Sequence, residues 1–322
     1  MLTLLSPDVI AIWILDAILF LFALLALAVA GQIVARWDVR ATTPLQYALE
    51  KRAYLAATIV DYIFILKLPL FLYFIYTLDQ LSTILPGAMC AAGVTNATVY
   101  GMPLFAVKIL NLYLFGLWIV LNRIDRAKPD YPYTKAKFWF YIFIFPFFAL
   151  ELGLELLHFG HINPHAIVSC CGTLFSAAKT SAVSTFIQLP APVILTVFYG
   201  TFALILLSWR RRRTGLFALL NLLFVPVAIV SLIALFSTYV YELPHHHCPF
   251  CLLQKDYHYV GYLMYATLFA GTFFAPAAWM ARRLGYPAAE KWLRWSLAGD
   301  TLYLFLVSYY PIAFYLKNGV WL

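Results

Sequence analysis

The chain has 322 residues, of which 64% are hydrophobic and only 11% charged, whereas soluble domains carry about 25% charged residues. With a mean hydropathy of +0.85, composition excludes a soluble globular fold, a disordered chain, a collagen, a coiled coil and a small disulfide scaffold. The net charge of +8 does not indicate a nucleic-acid partner, because the basic residues stand between long apolar runs, as in membrane proteins.

A spanning helix needs about 20 mainly apolar residues. Eight segments qualify: 9–35, 53–78, 102–122, 138–158, 191–209, 215–240, 259–280 and 296–315. The first is too long, and too lightly charged at its start, for a cleaved signal peptide, so it reads as a span. Connections one, three, five and seven hold 17 of the 22 Lys and Arg residues, while the even connections and both tails hold Lys179, Lys255 and Lys317. The positive-inside rule then places the odd connections in the cytoplasm and both termini outside. The expected fold is an all-α integral membrane bundle of about eight helices, with residues 1–322 as a single polytopic membrane domain. The setting is a bacterial or archaeal plasma membrane, with lipid as the surrounding partner.

Ionisable residues occur inside these segments, where they are costly and mark function. Asp16 lies in the first span, Asp61 and Lys67 in the second, Lys108 in the third, Glu151 and Glu155 in the fourth, and Asp300 at the start of the eighth. Glu151 and Glu155 are spaced i, i+4, on one helix face. They repel if both ionise, so one is protonated or paired, with Lys67 or Lys108 as the counter-charge. Glu151, Glu155 and His158, one turn beyond Glu155, form a candidate proton-transfer path; a buried pair that fixes helix register is the alternative.

On this topology all five cysteines and all seven histidines fall on the outer side. Cys90 is in the second connection, Cys170 and Cys171 in the fourth, and Cys248 and Cys251 in the sixth. His161 and His165 share the i, i+4 spacing, but Pro164 breaks the helix that would use it. Adjacent cysteines such as Cys170 and Cys171 do not readily pair with each other. They point to separate partners, a labile switch or soft-metal ligation. One disulfide set joins Cys90 to Cys170 or Cys171 and Cys248 to Cys251; spacing does not select the connectivity.

The sharpest motif is His245-His246-His247-Cys248-Pro249-Phe250-Cys251-Leu252-Leu253-Gln254-Lys255. A C-x-x-C pair can form a reversible disulfide or share a metal. It stands just before, or at the first turn of, the seventh span, where the helix terminus would favour the thiolate. Tyr257, Tyr259 and Tyr262 flank it, as an interfacial aromatic belt or part of a headgroup pocket. His245, His246 and His247 with Cys248 and Cys251 are an alternative metal site. No C-x-x-C-H is present, so covalent haem attachment is not expected.

The run from Cys248 to Lys255 resembles the C-x-x-C-x-x-Q-[R/K] signature of DsbB-type thiol:quinone oxidoreductases; vitamin K epoxide reductases share the broader arrangement. The resemblance covers about eight residues. It implies that Cys248 and Cys251 are the quinone-proximal pair, with Lys255 in the basic position near the quinone and Gln254 before it; Tyr257 and His258, just beyond the motif, are further candidate quinone-binding residues. A second set of outer cysteines, here drawn from Cys90, Cys170 and Cys171, would exchange with a thioredoxin-like partner. Those enzymes are four- or five-span bundles, and this chain has eight candidate spans. The order Cys90, Cys170-Cys171-Gly172, Cys248-x-x-Cys251 also resembles the cluster motif of heterodisulfide reductase-type subunits, which implies an iron–sulfur cluster.

The leading expectation is therefore a membrane thiol–disulfide oxidoreductase that exchanges electrons between outer cysteines and a quinone. The alternatives are a membrane subunit of a respiratory electron-transfer complex, carrying an outer iron–sulfur, haem or copper site beside other subunits, and a soft-metal transporter.

Overall fold

The computed structural model describes residues 6–38, 41–168 and 189–322. Among the described residues there is no strand, and eight helical segments are long and apolar enough to cross a membrane. This is the helix complement of an integral membrane protein. The chain divides into two compact units, Met1–Val168 and Ser169–Leu322.

The first unit contains α1 (Pro7–Arg36), α2 (Pro44–Ser82), the short α3 (Ala91–Thr95), α4 (Gly101–Arg126) and α5 (Thr134–His161). Its four long helices pack in a ring: α1 on α2, α2 on α4, α4 on α5 and α5 on α1. Buried alanines 23, 26 and 30 of α1 and 53, 56 and 57 of α2 belong to one core cluster. Small side chains let apolar helices approach closely. Phe64 stacks on Phe115 at 4.2 Å in the same core. Two fully buried aromatic side chains place their polar atoms on main-chain carbonyls. Trp118 Nε1 donates to the Lys137 carbonyl at 2.9 Å, and the Tyr141 hydroxyl donates to the Ala23 carbonyl at 2.7 Å.

Helix ends and apolar limits do not coincide. The second span is expected from residue 53, yet α2 starts at Pro44, where the Thr43 side chain accepts from Gln46 N at 3.3 Å. Capping residues set where a helix begins, whereas apolar length sets only how much of it the bilayer can hold. The connection before α5 is organised by Asp125, which accepts from Tyr133 N at 2.7 Å and pairs with Lys137 at 2.7 Å.

The second unit contains α6 (Ala191–Arg210), then α7 (Thr214–Ser231), which continues through a π turn (Leu232–Phe236) into α8 (Ser237–Tyr241). Two 3-10 turns (Cys251–Leu253 and Lys255–Tyr257) precede α9 (Val260–Arg283) and α10 (Ala289–Asn318). Here α6 packs on α7, α7 on α9, and α9 on α10. Gly271 of α9 and Gly299 of α10 bring two backbones together. A Cβ at Gly299 would stand 2.7 Å from the Gly271 Cα, and one at Gly271 would stand 2.7 Å from Asp300 N. Because α10 begins at Ala289, Asp300 lies well inside the helix rather than at its start.

Candidate functional site

Cys248 and Cys251 stand in the second unit, in the segment between α8 and α9. The segment leaves α8 sharply, with Glu242 in the left-handed region at φ 53°. It then folds into a turn in which Leu253 N donates to the Phe250 carbonyl and Gln254 N to the Cys251 carbonyl, both at 3.0 Å. The two sulfurs lie within 4.8 Å of each other. Cys248 is 0% and Cys251 6% exposed. A pair so placed suits reversible disulfide chemistry or a shared soft ion.

Two tyrosines hold this turn from the flanking helices. The Tyr241 hydroxyl donates to the Cys248 carbonyl, and the Tyr265 hydroxyl donates to the Pro249 carbonyl at 2.8 Å. Gly261 admits the turn against α9, since a Cβ there would stand 2.8 Å from Leu252 Cβ. Sequence reasoning passed over Tyr241, Tyr265 and Gly261. A glycine at the start of an otherwise apolar helix was the available signal.

Val260 begins α9 nine residues beyond Cys251, and the pair sits in its own short turn. The turn nevertheless lies against the start of α9, where Gly261 meets Leu252.

The histidines are spread around the turn. His245 is exposed, and His246 packs its ring edge-on against Tyr241 at 4.4 Å. His247 Nδ1 lies 2.9 Å from the Ile233 carbonyl. A carbonyl only accepts, so Nδ1 carries the proton, and Nε2 is the nitrogen with a lone pair. Burial holds His247 below the usual imidazole range; the Ile233 contact opposes this and neighbouring His245 adds to it. Of the remaining expected residues, Gln254 and Tyr257 are half-buried, whereas Lys255 and His258 are exposed. Tyr257 meets Tyr241 at 4.4 Å, and exposed Tyr259 and Tyr262 lie 6.3 Å apart.

Cys90 belongs to the first unit. It is buried and precedes α3 as its N-cap residue. Cys170 and Cys171 lie outside the described residues.

Glu151, Glu155 and His158 share a buried face of α5. Glu151 Oε1 is 2.8 Å from Lys67 and 2.9 Å from Lys108, and Glu151 Oε2 accepts from Asn111 at 2.6 Å. Lys108 also reaches Glu155 Oε2 at 2.6 Å, and Lys67 reaches Asp16 Oδ1 at 2.8 Å. Both lysines thus serve as counter-charges. His158 is fully buried, with Nδ1 2.6 Å from Thr98 Oγ1. His161 closes α5, with Nδ1 2.8 Å from the Leu157 carbonyl, and His165 is exposed in the following turn. Asn111 and Thr98 were not anticipated, although Asn111 follows Lys108 by one turn on the same helix face.

No protein-family model, no curated protein and no solved structure matches this chain.

Proposed function

We propose that this chain is a membrane thiol–disulfide oxidoreductase that passes electrons from extracytoplasmic cysteines to a membrane quinone. The observation that carries the reading is the Cys248–Cys251 pair, with sulfurs within 4.8 Å in a turn whose carbonyls at Cys248 and Pro249 accept from tyrosine hydroxyls of the flanking helices. The resemblance of this segment to DsbB-type enzymes points the same way. The difference in span number narrows, because the unit Ser169–Leu322, which bears the pair, has four long helices.

In this reading the odd connections are cytoplasmic and the cysteines face outward. Oxidation of the two thiols to a disulfide releases two electrons and two protons. The quinone takes up two of each and becomes quinol. Lys255 and His258, exposed beside the turn, and Gln254 and Tyr257, half-buried behind it, are the residues that would meet the quinone headgroup. A thioredoxin-like partner would reload the pair with electrons through Cys90, Cys170 or Cys171.

The test is a thiol map of all five cysteines in purified protein, by alkylation and mass spectrometry, before and after a soluble quinone is added. Metal analysis is run on the same sample. A Cys248–Cys251 disulfide that forms as quinol appears, in metal-free protein, supports the reading. Stoichiometric metal, with thiols that do not respond to quinone, replaces it with a cofactor-bearing subunit of an electron-transfer complex.

A further inference from the structure

The first unit buries five ionisable side chains in one cluster: Asp16 of α1, Lys67 of α2, Lys108 of α4, and Glu151 and Glu155 of α5. Each is at most 4% exposed. One carboxylate oxygen from each acid lies within 4.8 Å of the other two. Three carboxylates facing two ammonium groups leave one negative charge in excess. An uncompensated charge is costly in a buried, apolar setting, and the group takes up a counter-ion or a proton instead.

The oxygens already engaged show where that positive charge can go. Glu151 gives one oxygen to both lysines and the other to Asn111. Asp16 Oδ1 faces Lys67, and Glu155 Oε2 faces Lys108. Asp16 Oδ2 and Glu155 Oε1 are buried without a hydrogen-bond partner. Two oxygens are too few for a hard metal cation, which gathers about six or more. They suffice for a proton. Beside the two lysines and Glu151 is a cavity of about 10 Å³, lined also by Phe71, Leu112 and Phe115. That is close to the space of one water.

His158 supplies an exit. It follows Glu155 by one turn on α5, is fully buried, and has an Nε2 without a hydrogen-bond partner. Its Nδ1 meets Thr98, in the connection between α2 and α4. A ring with one nitrogen on each side can take a proton at one and release it at the other.

We propose that the Asp16–Lys67–Lys108–Glu151–Glu155 cluster binds one exchangeable proton, shared between Asp16 and Glu155 and relayed through His158. The groups that face this proton are Asp16 from α1, Lys67 from α2, Lys108 and Asn111 from α4, and Glu151 and His158 from α5. The inference does not rest on the thiol–quinone reading, which concerns the other unit.

Infrared spectroscopy of the full chain in lipid nanodiscs, in H2O and in D2O, reads the proton directly. Asp300 is a second buried acid whose carboxylate oxygens have no hydrogen-bond partner, so Asp300→Asn is the background for every sample. The expected result is a protonated-carboxyl band of one group per chain that shifts in D2O. Glu155→Gln or Asp16→Asn removes the band, because two acids then balance two lysines. Lys108→Met doubles it. The double variant Glu155→Gln/Lys108→Met restores one group and so separates charge balance from misfolding. His158→Phe keeps the band but slows its D2O shift at least tenfold. A band unchanged in Glu155→Gln, Asp16→Asn and Lys108→Met overturns the proposal. So does a band abolished by sodium or potassium, which would make the site an alkali-cation site.

Discussion

The Tyr241 hydroxyl, at the end of α8, donates to the main-chain oxygen of Cys248, seven residues later. This bond ties the first cysteine of the pair to the helix that precedes it. Tyr241→Phe leaves a buried carbonyl unsatisfied at a cost of about 1–3 kcal/mol. Because each 1.4 kcal/mol is about tenfold, alkylation of Cys248 in reduced protein is expected to accelerate about tenfold or more. Unchanged alkylation would mean that the turn is held without Tyr241.

Glu151 is the acceptor that both buried lysines share. Removing one partner of a buried ion pair costs about 3–5 kcal/mol. Glu151→Ala should lower thermal stability by that order, measured by melting in nanodiscs. Adding Lys108→Met in the same chain should not recover the loss, because it takes from Glu155 its lysine partner.

Gly271 and Gly299 let α9 and α10 meet backbone to backbone. Gly271→Ala forces the helices apart, and overpacking of this kind costs about 1–3 kcal/mol. Gly153, in α5, has nothing within 4 Å of an added Cβ. Gly153→Ala should therefore be neutral or stabilising by up to about 1 kcal/mol. Equal melting temperatures for the two variants would contradict the close approach.

His247 is held below the ordinary imidazole range mainly by burial. A base with a depressed pKa in the folded state stays neutral there, while the unfolded form takes a proton near pH 6.5. The unfolded state then binds more protons, so stability is full above that value and falls as pH drops towards the folded pKa. Thiol alkylation at Cys248, measured with a reagent whose intrinsic pH dependence is corrected, should rise on acidification through this window. His247→Gln should flatten the profile.

The positions of the eight spans were readable from the chain alone, because bilayer length is matched by a local run of apolar residues. All eight expected segments coincide with long helices, from Pro7–Arg36 to Ala289–Asn318. The motif around Cys248 was legible for the same reason, since its parts are neighbours in sequence. The charges inside the spans were also visible as anomalies, because ionisable groups are costly there.

What tertiary structure decided is which of these distant residues meet. Lys67 and Asp16 are 51 positions apart, and Lys108 and Glu151 are 43 apart. Such pairings depend on the ring order of α1, α2, α4 and α5 and on the rotation of each helix. The weak facial asymmetry of nearly uniformly apolar helices leaves that rotation undetermined in the chain. The same holds for the turn. Tyr265 reaches Pro249 only because Gly261 lets the turn lie against α9. Apolar length is a local quantity, and charge pairing is a three-dimensional one.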